Sequence, residues 1–285
     1  MTVSDAELTS LAASHDIISV GMVADETRRR RHGTRTTFVR VADVAMADEA
    51  APSPSPLAGE VRITGTPASR GAAIARVAQV AAAIGGSRGV PLSGFSLADL
   101  EELSAREGVT LRALLEELHA EGLELVAEAP FDRLHDPRRS IEEVNIAGLA
   151  LARLTIQLSP SPDPVPLFKA VADLQRTVAV IRSFAPLPRA LNPAVPTTGY
   201  EDVKRVALAR VIVDNIASIQ VDWSLYGPKL AQVALTVGAD DVDGVSAEDD
   251  MTEGRRRAPL EEIRRNIRAA SQEPVERNGR YELLR

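Results

Sequence analysis

Asp214–Gly244, DNIASIQVDWSLYGPKLAQVALTVGADDVDG, reads as a strand, a turn, a helix bounded by glycines and an acidic loop. Gln220 and Asp222 alternate with Ile219 and Val221, so the two polar side chains share one face of the strand. Gly227 and Gly238 bracket an apolar stretch with helical spacing. A strand that feeds a helix and returns to an acidic loop is the build of a ligand-binding edge in an α/β barrel.

The same alternation extends in both directions. YEDVKRVALARVIVDN, directly upstream, sets Val203, Val206, Ala207, Val211 and Val213 along one helical side. Farther upstream, strands are expected at 36–42 and 61–65, in LELVAEA and in ARLTIQLSP, and helices at 69–84, 96–106, 110–121, 140–150 and from Val165. Residues 4–32 read as helical, with Ser4 and Glu7 spaced as a capping box and an arginine run before Gly33. Strands and helices in alternation at this spacing predict a parallel α/β barrel. The chain divides into an N-terminal helical segment (1–35), a (β/α) barrel (36–245) and a C-terminal extension (246–285) with a capped helix and an extended end. A proline-rich loop at 50–58 interrupts the barrel, because alternating prolines remove amide donors and restrict the residues before them. Too few residues lie between Ala50 and Glu60 for a helix, so the barrel is expected to be partial near its first crossover.

A net charge of −7 argues against nucleic acid, whose binders neutralise phosphates with a basic face. No apolar run approaches the ~18–20 residues that cross a bilayer, and acidic residues stand where a signal peptide would be basic. A cytoplasmic protein without a membrane partner is the expectation. Aromatics are only 3% of the chain, so the core must be aliphatic. Cysteine is absent, which removes disulfides, thiolate metal sites and cysteine-held clusters.

The densest carboxylate group is Asp240, Asp241 and Asp243 with Glu248; in a glycine-bounded loop it has the donors to hold a cation, a ribose or an amine. Asp222 and Trp223 end the strand at the face where barrel proteins place functional groups, with Tyr226 one turn on. An inward Asp222 beside Arg210 or Lys229 would form a ligand clamp. These nine residues are the ligand-binding candidates; no catalytic or metal-ligating residue is assigned. His15, His32, His119 and His135 are not at metal-ligand spacing, no serine stands in a nucleophile elbow, and Gly85–Gly89 lacks a phosphate-loop signature.

GYEDVKRVALARVIVDNIASIQVDWSLYGPKLAQVALTVGADDVDG followed by EEIRRNIRAASQEPVERNGRY resembles the carboxy-terminal third of aminofutalosine synthases. These are radical S-adenosylmethionine enzymes of the futalosine route to menaquinone, related to dehypoxanthine futalosine cyclase and the deazaflavin synthases. RRRRHGTRTTFVR, EVRITG and ELHAEGLELV resemble earlier parts of the same family, so the likeness covers most of residues 20–281. It implies a radical-enzyme type of TIM-like barrel. The family also carries a CxxxCxxC loop after the first strand, where three thiolates hold a 4Fe–4S cluster. Here that region reads EAAPSPSPLAG, and the glycine pair after the second strand is replaced by Gly65-Thr66-Pro67. Neither the cluster nor S-adenosylmethionine is therefore expected as a cofactor. The resemblance implies a cluster-free paralogue that binds a small nucleoside or partners a menaquinone-pathway enzyme; the alternative is a cluster-independent hydrolysis or elimination on a futalosine-like nucleoside.

Overall fold

The computed structural model describes residues 5–48, 53–85, 89–158, 163–190, 198–248 and 259–284. Two helices, α1 (Asp5–Ala13) and α2 (Ile17–His32), precede β1 (Arg35–Ala45). There follow β2 (Glu60–Thr64), α3 (Arg70–Ile84), β3 (Leu92–Ser96), α4 (Leu97–Arg106), α5 (Leu111–Ala120), β4 (Leu125–Pro130) and α6 (Pro137–Ile146). The second half comprises β5 (Ala150–Leu151), β6 (Leu154–Ile156), α7 (Val165–Val178), β7 (Ser183–Pro188), α8 (Gly199–Ile212), β8 (Ser218–Asp222), α9 (Trp223–Thr236), β9 (Asp241–Ser246), α10 (Pro259–Ala269) and β10 (Glu273–Glu276).

All named strand pairs are parallel, in the order β1-β2-β3-β4-β6-β7-β8-β9, and β9 returns to β1. The barrel therefore closes, where the sequence predicted a partial one. Closure is made by Thr37 to Val41 against Asp241 to Ser246, and β1 runs past the expected end at 42 so that Asp43, Val44 and Ala45 also pair with Arg62, Ile63 and Thr64. The crossover from β1 to β2 has no helix among its described residues, yet it spans about the dozen residues that a parallel crossover requires.

Local chemistry accounts for the helix boundaries. Asp16 accepts hydrogen bonds from the amides of Ile18 and Ser19 and starts α2, so the predicted single helix is broken at 14–16. Ser4 lies outside the described residues. Ser69, Thr110 and Asp136 cap α3, α5 and α6, and Thr198 with Glu201 forms a capping box on α8. Within α9, Gly227 takes φ 75°, which breaks the helix ahead of Pro228 and leaves one turn that begins at Asp222.

Two strands escaped the sequence reading. LSGFS (β3) forms a strand although two serines and a glycine dilute its apolar signal. DVDGVS (β9) forms a strand where the sequence predicts a loop, because its alternate positions are acidic. Both have the same cause: the apolar core lies outside the barrel wall, between strands and helices. Leu154 and Ile156 join that core while Thr155 faces inward, and Phe168 packs edge-to-face on Phe184 at 5.6 Å. The inner wall is polar, so inward strand positions carry charges.

The C-terminal extension forms part of the barrel. β10 pairs with β1 from Arg35 to Phe38, and β2 takes the same edge from Val41 onward. Beyond β10 the Arg277 amide donates to the Phe38 carbonyl at 2.9 Å, and the Gly279 amide to the Gly59 carbonyl at 3.0 Å. The tail then turns under the amino-terminal ends of the strands and floors the barrel. Among the described residues no helix is long and apolar enough to cross a membrane.

Candidate functional site

The barrel interior is filled with ion pairs. At the floor, Asp241 is fully buried and receives both Nε and Nη2 of Arg277, at 2.7 and 2.6 Å. The hydroxyl of Thr37 and the amide of Gln220 complete its shell. The Arg277 guanidinium lies 3.9 Å from the ring centre of Tyr281, whose hydroxyl donates to the Ala152 carbonyl at 3.0 Å. Burial costs the Arg277 charge, but Asp241 outweighs it and holds the guanidinium well above its usual range; burial pushes the Tyr281 phenol up.

Above this floor stands Asp243. Its carboxylate accepts Nη1 and Nη2 of Arg62 at 3.0 and 2.8 Å and Nη1 of Arg153 from across the barrel. Burial raises the Asp243 carboxyl, yet Arg153 and Arg62 together drive it far below the ordinary carboxylate range. Arg62 also donates through Nε to Glu60 at 2.8 Å, and Glu60 accepts the Ser93 hydroxyl.

At the carboxyl ends of the strands, Asp222 closes β8 with two duties. One oxygen caps the first turn of α9 through the Leu225 amide at 2.9 Å, and the other accepts Arg189 Nη1. Arg189 Nε stands 3.1 Å from Glu128 on β4. Burial and Asp243 push the Asp222 carboxyl up, while Arg189 and Arg153 pull it below its ordinary value. Tyr226 donates its hydroxyl to the Pro188 carbonyl at 2.5 Å. Asp43 faces the same mouth from β1. Solvent reaches it, but enough protein encloses it that desolvation raises its carboxyl, with Arg62 opposing and Asp243 reinforcing.

The structure brings together some of the sequence candidates and separates others. Asp222, Tyr226 and Asp243 reach the mouth or the layer beneath it, and Asp241 lies at the floor. Trp223 packs against the outer core. The clamp expected between Asp222 and Arg210 or Lys229 does not form. Arg210 is buried on α8 and pairs with Asp240, whose other contacts include the Ile219 amide and His32 at 3.3 Å, at the opposite end of β8. Lys229 and Glu248 are exposed on the surface. Asp241 and Asp243 thus lie on β9 with Asp240 just before it, and the three neutralise three different sets of arginines; among the described residues no cluster of His, Cys, Asp or Glu is arranged to hold a metal ion.

The sequence reading missed Asp43, Glu60, Arg62, Glu128, Arg153, Arg189 and Arg277. Period-two polar positions within apolar strands, Glu60 and Arg62 in EVRIT above all, carried a usable signal. Arg153, Arg189 and Arg277 had none, since they flank strands and meet partners 33 to 90 positions away.

Fold and interior define the class: a closed parallel (β/α) barrel with a charged lumen that opens at the carboxyl ends of its strands. Of solved structures, it matches methylornithine synthase (PylB) with a TM-score of 0.69, 11% identity and coverage of 96% of this chain and 95% of that one. It matches the hydrogenase maturase HydG from Carboxydothermus hydrogenoformans with a TM-score of 0.64, 12% identity and coverage of 96% and 76%. This chain shares the fold of both.

The sequence comparisons add likenesses over parts of the chain. Residues 187–285 match the family model of the CofH/MqnC C-terminal region. Aminodeoxyfutalosine synthase of Streptomyces coelicolor is 39% identical over 94 residues, 31% of this chain and 24% of that protein. Cyclic dehypoxanthine futalosine synthase of the same organism is 26% identical over 218 residues, 68% of this chain and 55% of that protein. The resemblance read from the sequence therefore stands, while the matched stretches span from a quarter to about half of those relatives' lengths.

A 4Fe–4S cluster of the radical type needs three thiolates, and this chain has no cysteine. The β1–β2 connection, where the family carries its thiolates, offers alanine, proline and serine instead. These residues do not fit the cluster.

Proposed function

We propose that the chain is a cluster-free paralogue of aminofutalosine synthase that serves menaquinone biosynthesis as a non-radical binding subunit, holding a small nucleoside of the futalosine route in the barrel mouth. One observation carries this reading: an Asp222–Arg189–Glu128 rim and an Arg62–Asp243–Arg153 layer beneath it furnish the barrel mouth with polar groups, although the thiolates that would hold an electron-delivering cluster are absent. A polar constellation at the carboxyl end of a barrel is where such folds bind their ligands.

The test is thermal unfolding of the purified protein with S-adenosylmethionine, 5′-deoxyadenosine, aminodeoxyfutalosine and futalosine in turn. A ligand at ~100 times its dissociation constant adds roughly 2.7 kcal/mol. A rise with a futalosine-route compound but not with S-adenosylmethionine is the expected result. No rise with any of them removes the proposal.

Asp43 supports a second reading, a cluster-independent enzyme. A solvent-reached carboxyl whose affinity for a proton is raised by enclosure is suited to general acid–base work. Turnover of aminodeoxyfutalosine or futalosine by iron-free protein, lost in Asp43→Asn, would establish it; absence of turnover leaves the binding role.

A further inference from the structure

On the described inner wall, every carboxylate but one is bonded or ion-paired to an arginine. Asp241 holds Arg277, Asp243 holds Arg62 and Arg153, Glu60 shares Arg62, and Arg189 serves both Asp222 and Glu128. Asp43 is the exception: Arg62 and Arg153 act on it through space, but neither donates a hydrogen bond to it. Six carboxylates thus face four guanidiniums, which leaves the lumen two charges negative when all are ionised. The uncompensated charge is concentrated where solvent enters.

An independent feature lies on the opposite wall. β6 stands four places from β1 around the eight-stranded barrel. On and beside it, Thr155 is fully buried and Arg153 is 3% exposed, yet Thr155 Oγ1 and Arg153 Nε have no hydrogen-bond partner. The register Ala129↔Leu154 sets Glu128 beside Arg153, with Glu128 Oε2 turned to Arg189 at 3.1 Å. A buried polar atom left unmade costs about 1–3 kcal/mol, so the two on Thr155 and Arg153 together mark a place where a polar group completes the wall. A hard metal ion does not suit it, since such ions require several converging oxygen ligands and no such group exists among the described residues.

We propose that the mouth takes a ligand bearing a protonated amine, its charge held by Asp43, while a neutral polar group of the same ligand satisfies Thr155 and Arg153 directly or through a water. Because the lumen is net acidic and its arginines are already committed, a cation gains there what an anion would lose. This inference rests on the mouth-binding reading above and adds the charge of what binds.

The experiment is calorimetric titration at pH 7 and low salt with a matched pair, 5′-amino-5′-deoxyadenosine and 5′-deoxyadenosine, on the wild-type chain and on Asp43→Asn. In parallel, the Asp43 side-chain carboxyl 13C resonance is followed as methylammonium chloride replaces sodium chloride at constant ionic strength. The expected result is at least tenfold tighter binding of the amine in the wild type, a ratio near one in Asp43→Asn, and a carboxyl shift with methylammonium. Equal affinities within the pair overturn the inference and leave the nucleoside-binding reading in place. Failure of both nucleosides with a methylammonium shift removes the nucleoside reading and keeps the cation site. Failure of both nucleosides without a shift removes both.

Discussion

Replacing Asp243 with asparagine tests whether the lumen is held by its ion pairs. The substitution preserves volume and removes one charge from a carboxylate that is 1% exposed and accepts three arginine donors. Arg62 keeps Glu60, but Arg153 loses its bonded carboxylate while remaining 3% exposed. Stranding a buried charge in this way costs roughly 3–5 kcal/mol, a large share of the ~5–15 kcal/mol that holds a domain folded. Urea unfolding followed by circular dichroism should register it as a lower midpoint with an unchanged slope. The pH dependence supplies a second check. Arginines hold the folded-state Asp243 carboxyl far below its unfolded value, so its stabilisation is complete above about pH 5 and declines as pH falls through and below the unfolded carboxylate range, near 4. The gap between wild type and variant should be constant at neutral pH and narrow on acidification. A loss under about 1 kcal/mol at pH 7 would refute the ion-pair account of the interior and imply that water enters the lumen and solvates both arginines.

Asp43→Asn should act in the opposite direction. A folded-state carboxyl raised above its unfolded value destabilises the fold once pH exceeds that value, so the variant should be more stable than wild type at pH 7, with the gain vanishing as pH falls below the unfolded carboxylate range; paired thermal melts from pH 3 to 8 would show it, and a variant less stable at pH 7 contradicts the reading. Gly59→Ala tests the docking of the tail on the proline-rich crossover. A Cβ at position 59 would come within 2.9 Å of the Arg277 backbone carbonyl, which cannot swing aside as a side chain can. Displacing the tail should cost about 1–3 kcal/mol and speed hydrogen exchange at the Arg277 and Gly279 amides; exchange unchanged from wild type would show that the floor does not depend on this contact.

The sequence by itself determined the alternation of strands and helices, most helix starts and the kinship of the last third. Those features are written in local periods and in capping residues such as Thr110 and Asp136, whose partners lie within three positions along the chain. It also established the absence of thiolates, a matter of composition alone. Tertiary structure decided the rest. Asp240, Asp241 and Asp243 are near neighbours in sequence, yet their arginines come from positions 210, 277, 62 and 153. Period two places Asp222 and Gln220 on one face, but it cannot say that Arg189 rather than Arg210 waits there. Which charges meet inside a barrel depends on strand tilt, register and closure, and these follow from packing on the outer face. The carboxylate that closure leaves without an arginine, Asp43, is therefore visible only once the barrel is complete.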